Sequence, residues 1–429
     1  MISRSKSSLL VSLLDQVLVS GVNLALTFWL INQWPPAEFG VFAIITSISM
    51  SGLAAHQALA GSQLALMTSR ARDADDHRGA LATTWAIALG VALLIGLATM
   101  TGFLLLGEAH GLPVAVAAGL FVGLHVCREH VRTYHFAQFE ARRVLFNDLV
   151  HSLILFLALA AAVMAGARIG LLLVVGALAA ASLATMLPTL LRRRSDFVLR
   201  LDKAVRRRMR RLWREHAGWA LLGAGAAEMQ TRGHVLAVST FFSVTDLGII
   251  QAALTLLRPI GVLGAGWMKV ARPVMAREFA QKRPAAASRY ANQSALGFVV
   301  ASLGYLLVLW LAWPLLQAHV LPPDYHGLQA VVPLWGLSVL IGLLRSVYSL
   351  QAQCVPLFRE AFFASALAMV TIFFGLVIAI LFGTATSTVL AVAAGEGAAM
   401  IALVLIVRRH VGRAEPKDIA VQGERPSWR

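Results

Sequence analysis

The chain has 429 residues, of which 58% are hydrophobic and only 14% are charged, and its formal net charge is +16. No stretch is both long enough and polar enough to form a separate soluble domain. The positive charge does not indicate nucleic-acid binding, because it falls in the connections between apolar runs. The two cysteines, Cys127 and Cys354, are expected near cytoplasmic helix ends, which argues against a disulfide framework.

Long apolar runs, 12 in number, predict an all-α polytopic membrane protein. About 20 apolar residues span a bilayer as a helix, and lipid offers no partner for free backbone groups. The runs are continuous, whereas a membrane β-barrel shows alternating segments of about 10 residues. The predicted spans are residues 9–34, 39–60, 80–106, 114–131, 144–166, 171–191, 218–242, 248–268, 291–316, 328–350, 361–382 and 388–407.

The basic residues predict the topology. Once the chain is divided into these spans, 34 of the 37 Lys and Arg residues fall on one side of the membrane. Basic loops stay in the cytoplasm, because Lys and Arg close to a span resist translocation. Arg168 is the one basic residue expected outside, and Arg232 and Arg258 lie within spans. Both termini are therefore predicted to be cytoplasmic.

A basic stretch divides the spans into two sets of six. We predict a six-helix lobe at 1–191, a basic connecting helix at 192–217, a second six-helix lobe at 218–407 and a cytoplasmic tail at 408–429. Because six is even, both lobes enter the membrane in the same orientation, which permits a parallel repeat. Glu38-Phe39-Gly40 and Asp246-Leu247-Gly248 begin corresponding spans. The alternative is that each is merely a turn leading into a helix.

The connecting segment has a helical pattern of its own. Apolar residues recur there at intervals of three and four, namely at Val198, Leu201, Val205, Met209 and Leu212. This spacing predicts one apolar face of a helix that lies on the anionic inner leaflet, with Arg on its other faces. A solvated basic linker is the alternative.

No enzyme motif is present. The sequence has no Walker A loop, no HExxH, no Gly-x-Ser-x-Gly and no Cys/His pair at metal spacing. The acids expected outside are few: Glu38, Glu108, Asp246 and Asp324. We therefore predict no catalytic residue, no metal and no cofactor, and a protein that is not an enzyme.

Polar residues inside the predicted spans are the remaining signal. Charge is costly in lipid, so such residues usually face a bundle interior or a water-filled cavity. Asp15 and Asn23 lie in the first span, and Glu228, Arg232 and His234 lie in the seventh. Two other interpretations stay open: Asp15 as a partly hydrated helix start, and Glu228 and Arg232 as an i,i+4 pair that neutralises itself.

Arg258 is the first candidate for substrate contact. It lies beside Pro259 near the middle of the eighth span, and no acid lies three or four residues away along the sequence. A deep Arg there needs a partner from another helix or an anionic ligand. Asp148 is expected only to favour the start of its helix through the dipole. Arg345 is expected to extend its side chain to the cytoplasmic interface.

The basic strip 128–143 is a second candidate. It places Arg128, Arg132 and His135 within two turns of one helical face. This arrangement suits a basic, cytoplasm-facing vestibule for a phosphate head group. The alternative is an ordinary basic cytoplasmic loop.

Three segments carry a resemblance to a known superfamily. They are the opening LLDQVLVSGVNLALTFWLINQWPPAEFGVFAI, its echo VSTFFSVTDLGIIQAALTLLRPIG and the strip RTYHFAQFEARRVLFNDLV. With the span count and the central basic loop, they resemble the multidrug/oligosaccharidyl-lipid/polysaccharide flippase superfamily. In particular, the chain is similar to bacterial polysaccharide-biosynthesis (Wzx-type) flippases over nearly its whole length.

The resemblance implies two six-helix lobes around a central cavity. It also implies a flippase that moves a polyprenyl-diphosphate-linked oligosaccharide across the bacterial inner membrane by alternating access, for surface polysaccharide assembly. Arg232 and Arg258 best fit the basic residues that hold the diphosphate in such proteins. Expected partners are this lipid-linked glycan, the bilayer and a polymerase or export complex, and no nucleic acid. Many relatives carry an acid where this chain has Arg232, Gly233 and His234, so ion coupling stays open.

Two other functions stay open. A multidrug-type exporter shares the fold, but an exporter of cations should have an acidic cavity, and the deep charges here include Arg232 and Arg258. A membrane glycan polymerase or ligase should have a large external loop with catalytic residues. The longest loop predicted outside, 317–327, is too short for a catalytic domain.

Overall fold

A computed structural model describes residues 2–69, 73–106, 111–199, 203–212, 218–355 and 357–413, and every regular element in these ranges is a helix. The first-half helices are α1 (Ile2–Gln33), α2 (Pro36–His56), α3 (Ser62–Ser69), α4 (Ala74–Leu106), α5 (Gly111–Ala137), α6 (Ala141–Met164) and α7 (Leu171–Arg192). One π-helical turn, Gln57–Gly61, joins α2 to α3. The short helix α8 (Lys203–Leu212) follows.

The second half is helical in the same way. Its helices are α9 (Gly218–Phe241), α10 (Val244–Leu256), α11 (Arg258–Ala280), α12 (Pro284–Leu311), α13 (Trp313–His319), α14 (Leu328–Cys354), α15 (Phe358–Phe382) and α16 (Ser387–Arg413). By length and composition, 10 helices in the described ranges could cross a membrane, or 11 if the bent pair α10 and α11 is one span. The helix α9, which carries Glu228 and Arg232, is the remaining predicted span. The structure confirms the predicted all-α membrane fold.

The eighth predicted span differs from the prediction, because it is broken. The prediction was one continuous helix at 248–268, whereas α10 and α11 meet at a 50° bend beside Leu257. Pro259 explains the break, since proline lacks an N–H and its ring clashes with the carbonyl four residues earlier. The Tyr305 hydroxyl donates a hydrogen bond of 2.6 Å to the carbonyl of Leu256. Arg258 therefore begins a helix instead of lying inside one.

The connecting helix is shorter than the sequence pattern predicted. It begins at Lys203, so Val198 precedes it, and Leu201 lies outside the described residues. Val205 is buried and Arg206 is exposed, which agrees with the predicted two-faced pattern. Arg208 forms an ion pair of 2.6 Å with Asp76 on α4. The helix thus packs on α4 instead of resting only on lipid.

The chain forms two compact units, Met1–Glu228 and Met229–Arg429. In the first unit, α4 and α5 pack closely because a Cβ atom on Gly119 would lie 2.7 Å from the Gly96 carbonyl oxygen. In the second unit, a Cβ atom on Gly375 of α15 would lie 2.7 Å from the Cβ of Ala391 on α16. Small residues allow such close approach, which is the usual basis of helix packing in membranes.

The two repeat-like turns begin helices in the same way. Glu38 and Asp246 are each the third residue of their helix, α2 and α10, and the glycine two positions later is buried in both. Glu38 accepts a hydrogen bond of 2.8 Å from the backbone N–H of Leu171, so it caps α7. In α10 the cap is instead Ser243, whose Oγ accepts a hydrogen bond of 2.9 Å from the N–H of Asp246 and donates one of 2.6 Å to the Asp246 carboxylate. The positions correspond, but the contacts do not.

Candidate functional site

Four charged side chains meet in the first unit, contributed by α1, α5 and α6. Arg132 forms ion pairs with Asp15 and, at 3.0 Å from Nε to Oδ2, with Asp148. Arg128 pairs with Asp148 as well. Asp15 is 1% exposed and Asp148 is 2% exposed, so the carboxylates lie inside the helix bundle. Glu129 adds a third acid at 3.5 Å from Arg132.

Two interpretations from the sequence are wrong for this cluster. Asp15 is buried, so it is not a hydrated helix start. Asp148 lies about two turns beyond the start of α6 at Ala141, and the dipole effect falls off within the first turn. Both carboxylates instead neutralise guanidinium groups, as buried charges in a bilayer require.

The pairing limits what Arg128 and Arg132 can bind. Three carboxylates face two guanidinium groups, so the cluster has no surplus of positive charge. An anionic head group would have to compete with these carboxylates for either side chain. A role for these two residues in substrate binding stays a prediction, and their observed contacts are structural.

Arg258 and Arg232 form the basic part of the second unit. Arg258 is exposed at the first position of α11, and the charge of Arg232 on α9 acts on it. The start of α11 offers an anion few backbone donors, because Pro259 has no N–H and the Ile260 N–H donates to the carbonyl of Leu257 at 3.1 Å. The two guanidinium groups are thus close enough for their charges to repel each other, and an anion bound near the break between α10 and α11 would relieve that repulsion.

His234 lies deeper in the same unit. It is 1% exposed, and its Nε2 lies 3.0 Å from Nε2 of Gln251 on α10. Its ring packs edge to face against Trp335 of α14, with the ring centroids 5.0 Å apart. Nδ1 of His234 is buried without a hydrogen-bond partner among the described residues. These contacts fix α9 against α10 and α14, next to the position of Arg232.

The remaining predicted residues lie elsewhere. Asn23 is exposed on α1, about two turns beyond Asp15. Glu228 is partly buried on α9 and accepts a hydrogen bond of 2.9 Å from Ser51 Oγ. The structure thus groups Asp15 with Arg128 and Arg132, and groups Arg232 with His234 and Arg258.

One buried ion pair was not predicted. Arg345 on α14 pairs with Glu396 on α16, so its side chain does not extend to the cytoplasmic interface. Glu396 is 7% exposed in the middle of its helix. The sequence contained one relevant signal, because a carboxylate in the middle of an apolar span needs a partner. Because Arg345 and Glu396 are 51 residues apart in the chain, the sequence did not show that Arg345 is this partner. Among the described residues, no cluster of His, Cys, Asp and Glu could hold a metal ion.

Solved structures with the same fold are membrane transporters. The lipid II flippase MurJ, in an inward closed conformation, aligns with a TM-score of 0.73 at 10% identity, over 93% of this chain and 87% of that one. A multidrug resistance MATE family transporter of the MOP superfamily, in an inward-facing conformation, aligns with a TM-score of 0.69 at 14% identity, over 92% and 94%. No protein-family model and no curated protein sequence matches the chain. At these identities the comparison establishes the fold.

Proposed function

We propose that this protein is a flippase of the MOP superfamily, of the polysaccharide-biosynthesis (Wzx) type. It moves a polyprenyl-diphosphate-linked oligosaccharide outward across the bacterial inner membrane, for assembly of a surface polysaccharide. Both termini are cytoplasmic, and a polymerase or export complex takes the product. The observation that carries the proposal is the pair Arg232 and Arg258 beside the helix break in a transporter fold.

The chemistry of the substrate explains why such a site is needed. A diphosphate cannot enter hydrocarbon unaided, because burying unpaired charge costs too much free energy. Arg232 and Arg258 replace part of its hydration. Guanidinium groups suit this role because they bind phosphate oxygens in bidentate geometry and stay charged. The polyprenyl tail stays in lipid while the site opens to one side and then to the other.

A multidrug exporter is the second candidate. The same fold occurs in a multidrug resistance transporter, and Glu228 lies one turn from Arg232 on α9. A cationic drug would need a carboxylate to face it, whereas the break between α10 and α11 presents Arg258. Anion transport is therefore the better match to the charges of the second unit.

Deletion of the gene tests the proposal. A flippase makes no bond, so the lipid-linked glycan should still be synthesised and should accumulate on the cytoplasmic leaflet. The measurement is the sidedness of labelled lipid-linked sugar in membrane vesicles, with the wild-type gene restored as the control. Normal outward exposure in the deletion strain, with no second flippase present, contradicts the proposal. Single repeat units reaching the outside would indicate a polymerase defect instead.

The variant Arg258→Gln tests the site itself. A hydrogen bond to a charged group contributes about 1.5–3 kcal/mol, so outward transport should fall roughly 10- to 100-fold. Arg289→Gln is the matched control, since it removes the same charge from α12. Both proteins should reach the membrane at wild-type levels. Full transport by Arg258→Gln would contradict a role for Arg258 in substrate binding. Drug resistance that depends on the protein would favour the multidrug exporter.

A further inference from the structure

The first unit contains a cavity that the proposed transport site does not use. It has a volume of about 480 Å³ and lies at the ends of α5, α6 and α7 that are predicted to face the cytoplasm. Its lining includes the basic residues Arg143, Arg192 and Arg193, and a wall built from apolar residues, among them Phe146 and Pro188. Basic pockets between helices on the cytoplasmic side are typical binding places for anionic lipid head groups.

The charges around the cavity leave a positive surplus. Glu140 accepts from Arg143 Nη1 at 3.0 Å and from Arg193 Nη2 at 3.1 Å. The same carboxylate lies 2.8 Å from Nδ1 of His135. One carboxylate therefore holds two guanidinium groups in place at the rim, and Arg192 adds a third. This balance contrasts with the buried cluster of Arg128 and Arg132, where acids outnumber cations.

The apolar wall determines which anion fits. Phe146 is 64% exposed, and it lies on α6 roughly one turn deeper than Arg143. Ala184 and Pro188 face the cavity from α7, on the membrane side of Arg192. The cavity is thus cationic at the predicted cytoplasmic interface and mainly apolar toward the bilayer interior, where Asn147 and Thr185 are its polar lining residues. A free phosphate ion would leave the apolar wall uncovered, whereas a phospholipid matches both parts.

We propose that this cavity binds an anionic glycerophospholipid of the cytoplasmic leaflet. The phosphate contacts Arg143 and Arg192, close to the N-terminus of α6, whose dipole favours an anion. An acyl chain covers Phe146 and Pro188. Because the lipid contacts both α6 and α7, its binding stabilises the packing of these helices. The residues that line this cavity do not include Arg232 or Arg258, so the inference does not depend on the proposed function.

The test uses the purified full-length protein in detergent, with phosphatidylglycerol, cardiolipin and phosphatidylcholine added in turn. Native mass spectrometry measures the lipid retained, and thermal unfolding measures stabilisation. Phosphatidylglycerol or cardiolipin should be retained and should raise the unfolding temperature, whereas phosphatidylcholine should do neither. Inorganic phosphate is a separate arm. Stabilisation by phosphate equal to that by phosphatidylglycerol would overturn the proposal.

Paired variants locate the effect. Arg143→Gln with Arg192→Gln should reduce retention of anionic lipid at least tenfold. Arg142→Gln with Arg194→Gln removes the same charge from exposed neighbours that are not among the residues lining the cavity, and should leave retention unchanged. If both double variants lost anionic lipid equally, the lipid would be held by non-specific attraction to positive charge, and the proposal would be overturned.

A further variant keeps every charge and fills the space. Ala184→Trp should abolish retention of anionic lipid while the protein still elutes as a single folded species. Retention by Ala184→Trp at the wild-type level would overturn the proposal. Undecaprenyl diphosphate provides one more comparison. If its retention depended on Arg143 and Arg192 while that of phosphatidylglycerol did not, the proposal would also be overturned, because the cavity would then bind the transported lipid.

Discussion

Paired charges organise the membrane interior of this protein at the scale of single residues. Asp15 and Asp148 neutralise Arg132 in the first unit, and Glu396 pairs with Arg345 in the second. Each pair joins different helices, so each specifies which helices pack together. A buried pair adds little net stability, but removal of one member leaves a charge without compensation. These residues are therefore expected to be sensitive to single substitutions and tolerant of paired ones.

The variant Arg132→Met tests this expectation. Among the residues that the structure describes, it leaves Asp15 with its negative charge and no guanidinium at ion-pair distance. Loss of one member of a buried pair costs about 3–5 kcal/mol. Its thermal unfolding temperature in detergent should fall well below that of the exposed control Arg142→Met. The double variant Asp15→Asn with Arg132→Met should recover part of the loss. If Arg132→Met were as stable as Arg142→Met, the ion pair between Asp15 and Arg132 would not contribute to stability.

Glycine contacts and one broken helix are the main features at the scale of elements. Close packing of α15 and α16 depends on Gly395, where a Cβ atom would collide with Ile372 and lie 2.9 Å from the carbonyl oxygen of Ala368. The break at Leu257 sets the direction of α11 and brings Arg258 to a helix N-terminus. In both features a backbone property positions the side chains: Gly395 has no Cβ, and Pro259 has no N–H.

Two neighbouring glycines in α16 provide a matched comparison. Gly395→Ala should force α15 and α16 apart and lower the unfolding temperature, because overpacking typically costs about 1–3 kcal/mol. Gly397→Ala should have little effect, since its Cβ would meet only Ile341, at 4.0 Å. The measurement is thermal unfolding of both variants beside wild type. Equal changes in the unfolding temperature of the two variants would mean that helix propensity, and not close packing at Gly395, determines their stability.

At the scale of the whole molecule, the alternation of basic and uncharged connections predicts how the chain is threaded through the membrane. Arg168 and Pro323 lie in connections expected outside, and Arg194 and Gln281 in connections expected inside. All four lie outside the candidate spans. Arg168 is 85% exposed, and its guanidinium lies 3.6 Å from Glu38. An acid thus partly compensates the one basic residue predicted outside.

Single cysteines test this threading in a background without Cys127 and Cys354. Cysteines replacing Arg168 and Pro323 should react with an impermeant thiol reagent added to spheroplasts. Cysteines replacing Arg194 and Gln281 should react only after the membrane is permeabilised. Labelling in the reverse pattern at any two positions would refute both the topology and the cytoplasmic termini.

Local sequence patterns predicted the all-α membrane fold and the approximate positions of most spans. Of the 12 predicted spans, 10 are helices long and apolar enough to cross a membrane in the described residues, or 11 with the bent pair α10 and α11. These predictions follow from local rules, because the length of an apolar run and the charge beside it decide whether a segment enters lipid. The sequence also identified Asp15 and Arg258 as costly in a membrane, and Arg132 as part of a basic strip. That Asp15 and Arg132 are partners became visible only in the folded chain, since the two residues are 117 positions apart in the sequence. Burial of charge dictates that a partner exists, but helix packing selects which residue it is, and packing depends on contacts that no local pattern encodes.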